Sequence, residues 1–268
     1  MKNTAGYAVL FALSLALFGC ADKTLSYRMV GREYYQPDCD TLSGGEGCAS
    51  MSFLYPQFSS VDTVSAARAN RWVSDMLFAP QGQAEALSAS FFAHWETFRN
   101  ESLEQDSSAE HDDDDDTHEH VLLPWHYAAS IEPQGCYRGM LSFAYTVSTD
   151  ALYLKPSRED DRKYFVLDRK SGRLLSVCDV FTDTLAVRRL VTAVFLEAAG
   201  VVPGMSLTEQ GVLPGTDGLL PSTDDFAIDS HGNAVFRYDM QALAPTVRSE
   251  DEITVPLALL EPLFNPRL

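Results

Sequence analysis

The stretch Tyr164-Phe165-Val166-Leu167-Asp168-Arg169-Lys170-Ser171-Gly172-Arg173-Leu174-Leu175 decides the fold class. Aromatic and β-branched residues over 162–168 read as a strand, Lys170-Ser171-Gly172 as a turn, and Leu174-Leu175 as the start of the return. Asp183 then heads a segment to Ala199 that carries Val187, Leu190, Val191, Val194 and Ala198 at helical spacing. Gly200 and Pro203 end it. A strand pair followed by a separate capped helix, rather than strict β-α-β alternation, points to an α+β fold with antiparallel sheet packed against a few helices.

The same two periods organise the rest of the chain. Residues 25–58 alternate as two antiparallel strands joined by a loop from Cys39 to Cys48 and ended by Pro56. Ser60 to Phe78 is a helix with Ala69, Trp72, Val73, Met76 and Leu77 on its apolar face, and a second helix covers about 83–105 with Ala84, Leu87, Phe91, Trp95 and Phe98 inward. Strands are expected at 121–134, 136–147 and 151–155. Residues 200–223, rich in glycine and proline, read as a surface excursion. Asp225 to Tyr238 is a hairpin turning at Ser230-His231-Gly232-Asn233, and a last strand over 252–255 leads into a short helix over 257–264.

The chain of 268 residues has 38 acidic and 20 basic side chains, a formal charge of −18. Such a surface repels phosphate, so nucleic acid is excluded as a partner. The excess is uneven: residues 101–120 carry ten acidic and no basic side chains, about half of the imbalance. Within this stretch the five aspartates Asp112 to Asp116 repel their own compaction, and 106–120 reads as a solvated loop.

The N-terminus predicts an address. Lys2 precedes a twelve-residue apolar run over 8–19, too short to span a bilayer and of the length of a signal-peptide core. It ends in Leu17-Phe18-Gly19-Cys20, which resembles the lipobox of bacterial lipoproteins. That resemblance implies removal of 1–19, lipidation of Cys20, a short linker over 20–24, and residence in the cell envelope as a lipid-anchored protein. An oxidising compartment would permit disulfides among Cys39, Cys48, Cys136 and Cys178. A Cys39–Cys48 bridge would close a glycine-rich loop, leaving Cys136 and Cys178 as a second pair or as two buried thiols.

Candidate chemistry is sparse. His111, His118 and His120, set among aspartates, have the donors of a divalent-metal site, although a five-aspartate loop supplies no rigid surround. Trp72 and Trp95 lie on helical apolar faces and read as core. Trp125, beside His126, is the freer candidate for ligand binding. His94 reads as a structural histidine. No nucleophile elbow, zinc-protease helix, P-loop or dinucleotide fingerprint is present, no cofactor is called for, and no catalytic residue is assigned.

Two stretches carry a family likeness. One is Tyr164 to Asp168 with Lys170-Ser171-Gly172-Arg173-Leu174-Leu175 and Asp179-Val180-Phe181. The other runs from Asp225-Phe226-Ala227-Ile228 through His231-Gly232 and Val235-Phe236-Arg237-Tyr238 to Ala244-Pro245, Ile253-Thr254-Val255-Pro256 and Leu260. Together they resemble the extracytoplasmic domain family of the anti-sigma factor RsiV, also found in the peptidoglycan deacetylase PdaC, with an N-terminal half over 25–135 and the RsiV-like domain over 136–268. The chain departs from the family where Ser148-Thr149-Asp150-Ala151-Leu152 replaces a Gly-Gly-Ala-His turn. The segments that bind a sigma factor or deacetylate peptidoglycan in those relatives have no counterpart here. The resemblance implies a non-catalytic envelope lipoprotein that binds a lysozyme-like protein or peptidoglycan. An envelope carbohydrate-active hydrolase, or metal binding at the His/Asp loop, is the alternative.

Overall fold

The computed structural model describes residues 25–37, 48–108, 125–150, 161–200, 207–208, 211–215, 217–244 and 251–268. Strands β1 (Ser26–Tyr35) and β2 (Ser50–Ser59) pair antiparallel along their whole length, as the alternation of 25–58 predicts. Proline at 56 does not end β2, which continues to Ser59 opposite Ser26.

Two helices follow. Helix α1 (Thr63–Phe78) begins at Asp62, whose side chain accepts the Val64 N–H and so satisfies one of the unpaired amides of the first turn. Helix α2 (Ala84–Ser108) buries Phe91, Phe92 and Trp95. The chain then returns to the sheet as β3 (His126–Tyr137), which pairs parallel to β2. This crossover makes the sheet mixed rather than wholly antiparallel. Strands β4 (Met140–Thr149), β5 (Asp161–Asp168) and β6 (Leu174–Leu175) complete six strands in the order β1-β2-β3-β4-β5-β6. The reversal between β3 and β4 occurs at Arg138-Gly139, about three residues later than the alternation suggests. Position 135/136, where the two halves meet in sequence, lies inside β3.

The remaining elements build a second layer. A short helix α3 (Val177–Val180) starts from a capping box in which Ser176 and Asp179 each bond the other's backbone N–H, and α4 (Thr184–Ala198) is capped by Asp183 as expected. Strands β7 (Phe226–Ile228), β8 (Asn233–Arg237) and β9 (Glu252–Pro256) form a small antiparallel sheet. Helices α5 (Met240–Leu243) and α6 (Leu257–Leu260) and a 3₁₀ turn over Glu261–Leu263 finish the fold.

Two cores hold these layers. On one face of the large sheet, Phe53, Ala129, Ile131, Phe143 and Leu167 pack against Ala69, Val73 and Leu77 of α1 and Phe91 and Trp95 of α2. On the other, Met140 and Val166 join Val187, Val191 and Phe195 of α4 and the interior of the small sheet. Leu207, Val212 and Leu220 are buried in this second core, so part of the glycine- and proline-rich stretch is core rather than surface. Strand β7 seats directly on the large sheet: the Ile228 N–H donates to the Ser142 hydroxyl at 2.9 Å. A β-carbon at Gly135 would come within 2.6 Å of the Ile228 carbonyl oxygen, so this approach requires glycine.

Candidate functional site

The small sheet covers only part of its face of the large one. Beneath it lie Ser142, Ala144, Tyr164 and Val166. In the neighbouring part, across β1 to β4, Leu54, Ala128 and Ser148 are exposed. Register places Gly31, Leu54, Ser130 and Thr146 in one cross-strand row and Glu33, Ser52, Ala128 and Ser148 in the next. The row between them, Arg32, Phe53, Ala129 and Val147, turns the other way, and its last three members are buried in the helix-side core. The result is a groove of about 380 Å³ floored by small and hydroxylated side chains together with the exposed Leu54. Away from Leu54 an incoming chain can approach the sheet closely and meet hydroxyl donors and acceptors.

Charged groups stand around this floor. The Ser130 hydroxyl donates to Glu132 at 2.8 Å, and the Tyr35 hydroxyl donates to Glu33 at 3.0 Å. On the opposite face of the sheet, Arg32 pairs with Glu85 of α2, whose carboxyl is held below the usual range first by hydrogen bonding to its own N–H and further by the guanidinium. Arg162, opposite Thr146 in register, lies over the Tyr164 ring with its charge 3.6 Å from Glu252. The Tyr164 hydroxyl donates to Glu252 at 2.7 Å, and burial together with that acceptor raises its ionisation far above the ordinary phenol range.

The residues named from sequence are dispersed. Trp125 is buried, with its ring 5.5 Å from that of Trp95 and 5.1 Å from that of Phe98, so it is a core residue rather than a ligand platform. An aromatic ring at the mouth of β3 is worth more filling the space under α2 than facing water. Trp95 is buried too, and its indole N–H donates to Gln36 at 2.9 Å. Trp72 packs against Phe143 and Phe165. His126 is exposed, its Nδ1 2.9 Å from the Ser50 hydroxyl. Asp150 accepts the backbone N–H of His126, not its ring, so the three do not form a charge-relay arrangement. His94 is exposed on α2 with Nδ1 2.7 Å from the Ser90 carbonyl.

Cys136, near the end of β3, and Cys178, in the first turn of α3, are exposed thiols and are not joined in a disulfide, which corrects the second pairing and the buried-thiol alternative alike. Cys48 is buried two residues before β2 begins. Cys20, Cys39, His111, His118 and His120 lie outside the described residues. Among the described residues, no group of three or more His, Cys, Asp or Glu could hold a metal ion, and no helix is long and apolar enough to cross a membrane.

A hydrolytic groove would call for two cooperating carboxyls. Among its described lining residues Glu33 is the one carboxylate. Burial pushes up a different carboxyl, that of Asp225, which accepts the Tyr164 N–H at 2.7 Å and faces Arg237 at 3.7 Å. Arg237 also lies 3.7 Å from Asp251, so this cluster joins the small sheet to β5 and belongs to the scaffold.

The groove was missed in sequence because its mark is an absence. The only signal was that alternate positions on three strands, Ser52, Ala128, Ser130, Thr146 and Ser148, are small.

No family model matches the chain, and no curated protein matches it. Solved structures do. A member of the DUF3298 family from Bacteroides fragilis superposes with a TM-score of 0.59 at 14% identity, over 91% of this chain and 96% of that one. A DUF3298 family protein from Pseudomonas aeruginosa gives 0.54 at 15% identity, over the same shares. The chain therefore has the fold of these DUF3298 proteins, an α+β architecture of a large mixed sheet, a small sheet and flanking helices.

Proposed function

We propose that this chain is a non-catalytic binding protein of the bacterial cell envelope, held to a membrane by lipid on Cys20, that takes peptidoglycan or a lysozyme-like protein on the open face of its large sheet. The observation that carries the proposal is the groove floored by Gly31, Ser52, Ala128, Ser130, Thr146 and Ser148. Four hydroxyls set among small residues, with Leu54 as the one bulky apolar side chain of the floor, suit an extended chain such as a glycan strand or its peptide stem, whose hydroxyls and apolar ring faces both find partners there. The fold likeness to DUF3298 proteins agrees with the RsiV-like motifs, and those motifs suggest the lysozyme-like alternative. A basic protein would gain most from the acidic stretch over 101–120, so its association would be salt-sensitive.

Titration against soluble peptidoglycan fragments and against lysozyme, each at low and high salt, tests the proposal. Fragment binding that persists at high salt supports the glycan occupant, and lysozyme binding that weakens steeply with salt supports the protein occupant. Failure of both to bind overturns the function. The envelope placement predicts that protein extracted from membranes starts at an acylated Cys20. It further predicts a Cys39–Cys48 bridge, visible as a mass increase of two hydrogens on reduction. An unprocessed N-terminus or an unchanged mass would contradict these.

A further inference from the structure

The large sheet has two edges. Strand β6 has only two residues, whereas β1 has ten and, among the described residues, pairs on one side only. The Gln36 N–H donates to the Ala49 carbonyl at 3.0 Å, and the Ser50 N–H donates away from β1, to Trp125 at 2.9 Å. By antiparallel alternation the even-numbered residues of β1 bond to β2, and Tyr27, Met29, Gly31, Glu33 and Tyr35 turn both backbone groups outward. Exposed edges are ordinarily blunted by proline, lysine, a bulge or shortness. Strand β1 contains neither proline nor lysine, and its register with β2 is unbroken.

We infer that β1 pairs with β1 of a second copy of this chain, antiparallel about a two-fold axis at Gly31. The sequence of the edge is self-complementary in that register. Tyr27 stands opposite the second copy's Tyr35, Met29 opposite Glu33, Arg28 opposite Tyr34, and Val30 opposite Arg32. No like charges meet. Centring the pair on Val30 instead puts Arg28 against Arg32, and centring it on Arg32 puts that arginine against itself, both unfavourable. A two-fold interface of this kind closes on itself. The axis is normal to the sheet, so the grooves of the two copies open on the same side. A polymer lying across one could continue onto the other.

Sedimentation equilibrium of the full chain from about 1 µM to about 1 mM tests this. The wild type is expected to form a reversible dimer within that range. Gly31→Pro removes an outward N–H and none bonded to β2, and should weaken the dimer by about tenfold or more while leaving the melting temperature nearly unchanged. A second pair of variants checks the register and does not depend on that proline being tolerated. Met29→Glu, set against the second copy's Glu33, should weaken the dimer, and Met29→Lys should tighten it, each by about fivefold. A monomer throughout, a dimer untouched by Gly31→Pro, or equal shifts from both Met29 variants would overturn the inference.

Discussion

Gly172→Ala is expected to destabilise the protein by about 3 kcal/mol, a fall in Tm of about 6–12 °C. Gly172 has φ +65°, and a β-carbon there would sit 2.2 Å from the Ser65 carbonyl oxygen. Both halves of that clash are backbone, so no side chain can swing aside. The turn is fixed from within, since the Gly172 N–H donates to the Asp168 carbonyl at 2.8 Å and the Lys170 N–H to the Asp168 carboxylate at 2.9 Å. It is fixed from outside by α1, where the Ser65 hydroxyl donates to the Lys170 carbonyl at 2.9 Å and Arg68 to that of Ser171 at 2.8 Å. Relief of the clash must therefore lift the start of α1 from the β5–β6 turn. Thermal melts followed by circular dichroism would measure the loss, and a change below about 1 kcal/mol would show that helix and turn are not in this contact.

Trp125→Ala is expected to cost about 3–5 kcal/mol, because it opens a cavity among Phe91, Trp95 and Phe98 that the helix above can fill only in part. Its second consequence separates core from ligand platform. Trp125 sits on the helix side of the sheet and the groove on the other, so variant protein that remains folded should bind its partner with unchanged affinity. Denaturant unfolding measures the first quantity and titration in native buffer the second. Undiminished stability with lost binding would return Trp125 to the role its neighbours in sequence suggested.

Much of the architecture was legible where its causes are local. Asp183 and Gly200 bracket α4 because capping chemistry is written in one or two residues, and Lys170-Ser171-Gly172 turns where it should because Gly172 alone accepts the left-handed backbone. The parallel pairing of β2 with β3 could not be read, since it depends on the packing of two intervening helices and not on any residue of either strand. Leu207, Val212 and Leu220 were hidden by the glycines and prolines around them, which speak of backbone shape and not of burial. The pattern of strand groups and separate helices pointed to the α+β class but not to the open face, which depends on how far the small sheet reaches across β4 and β5.

If the exposed face of the large sheet is the binding surface, Ala128→Trp should block it. Position 128 lies on the groove floor between Ser52 and Ser148, on the face away from α1 and α2, so an indole there fills the groove with little disturbance of either core. The variant should keep the wild-type Tm within a few degrees and lose at least about tenfold in affinity for whichever partner, peptidoglycan fragment or lysozyme, the wild type binds. Wild-type affinity in a folded Ala128→Trp protein would place the partner elsewhere and contradict the account.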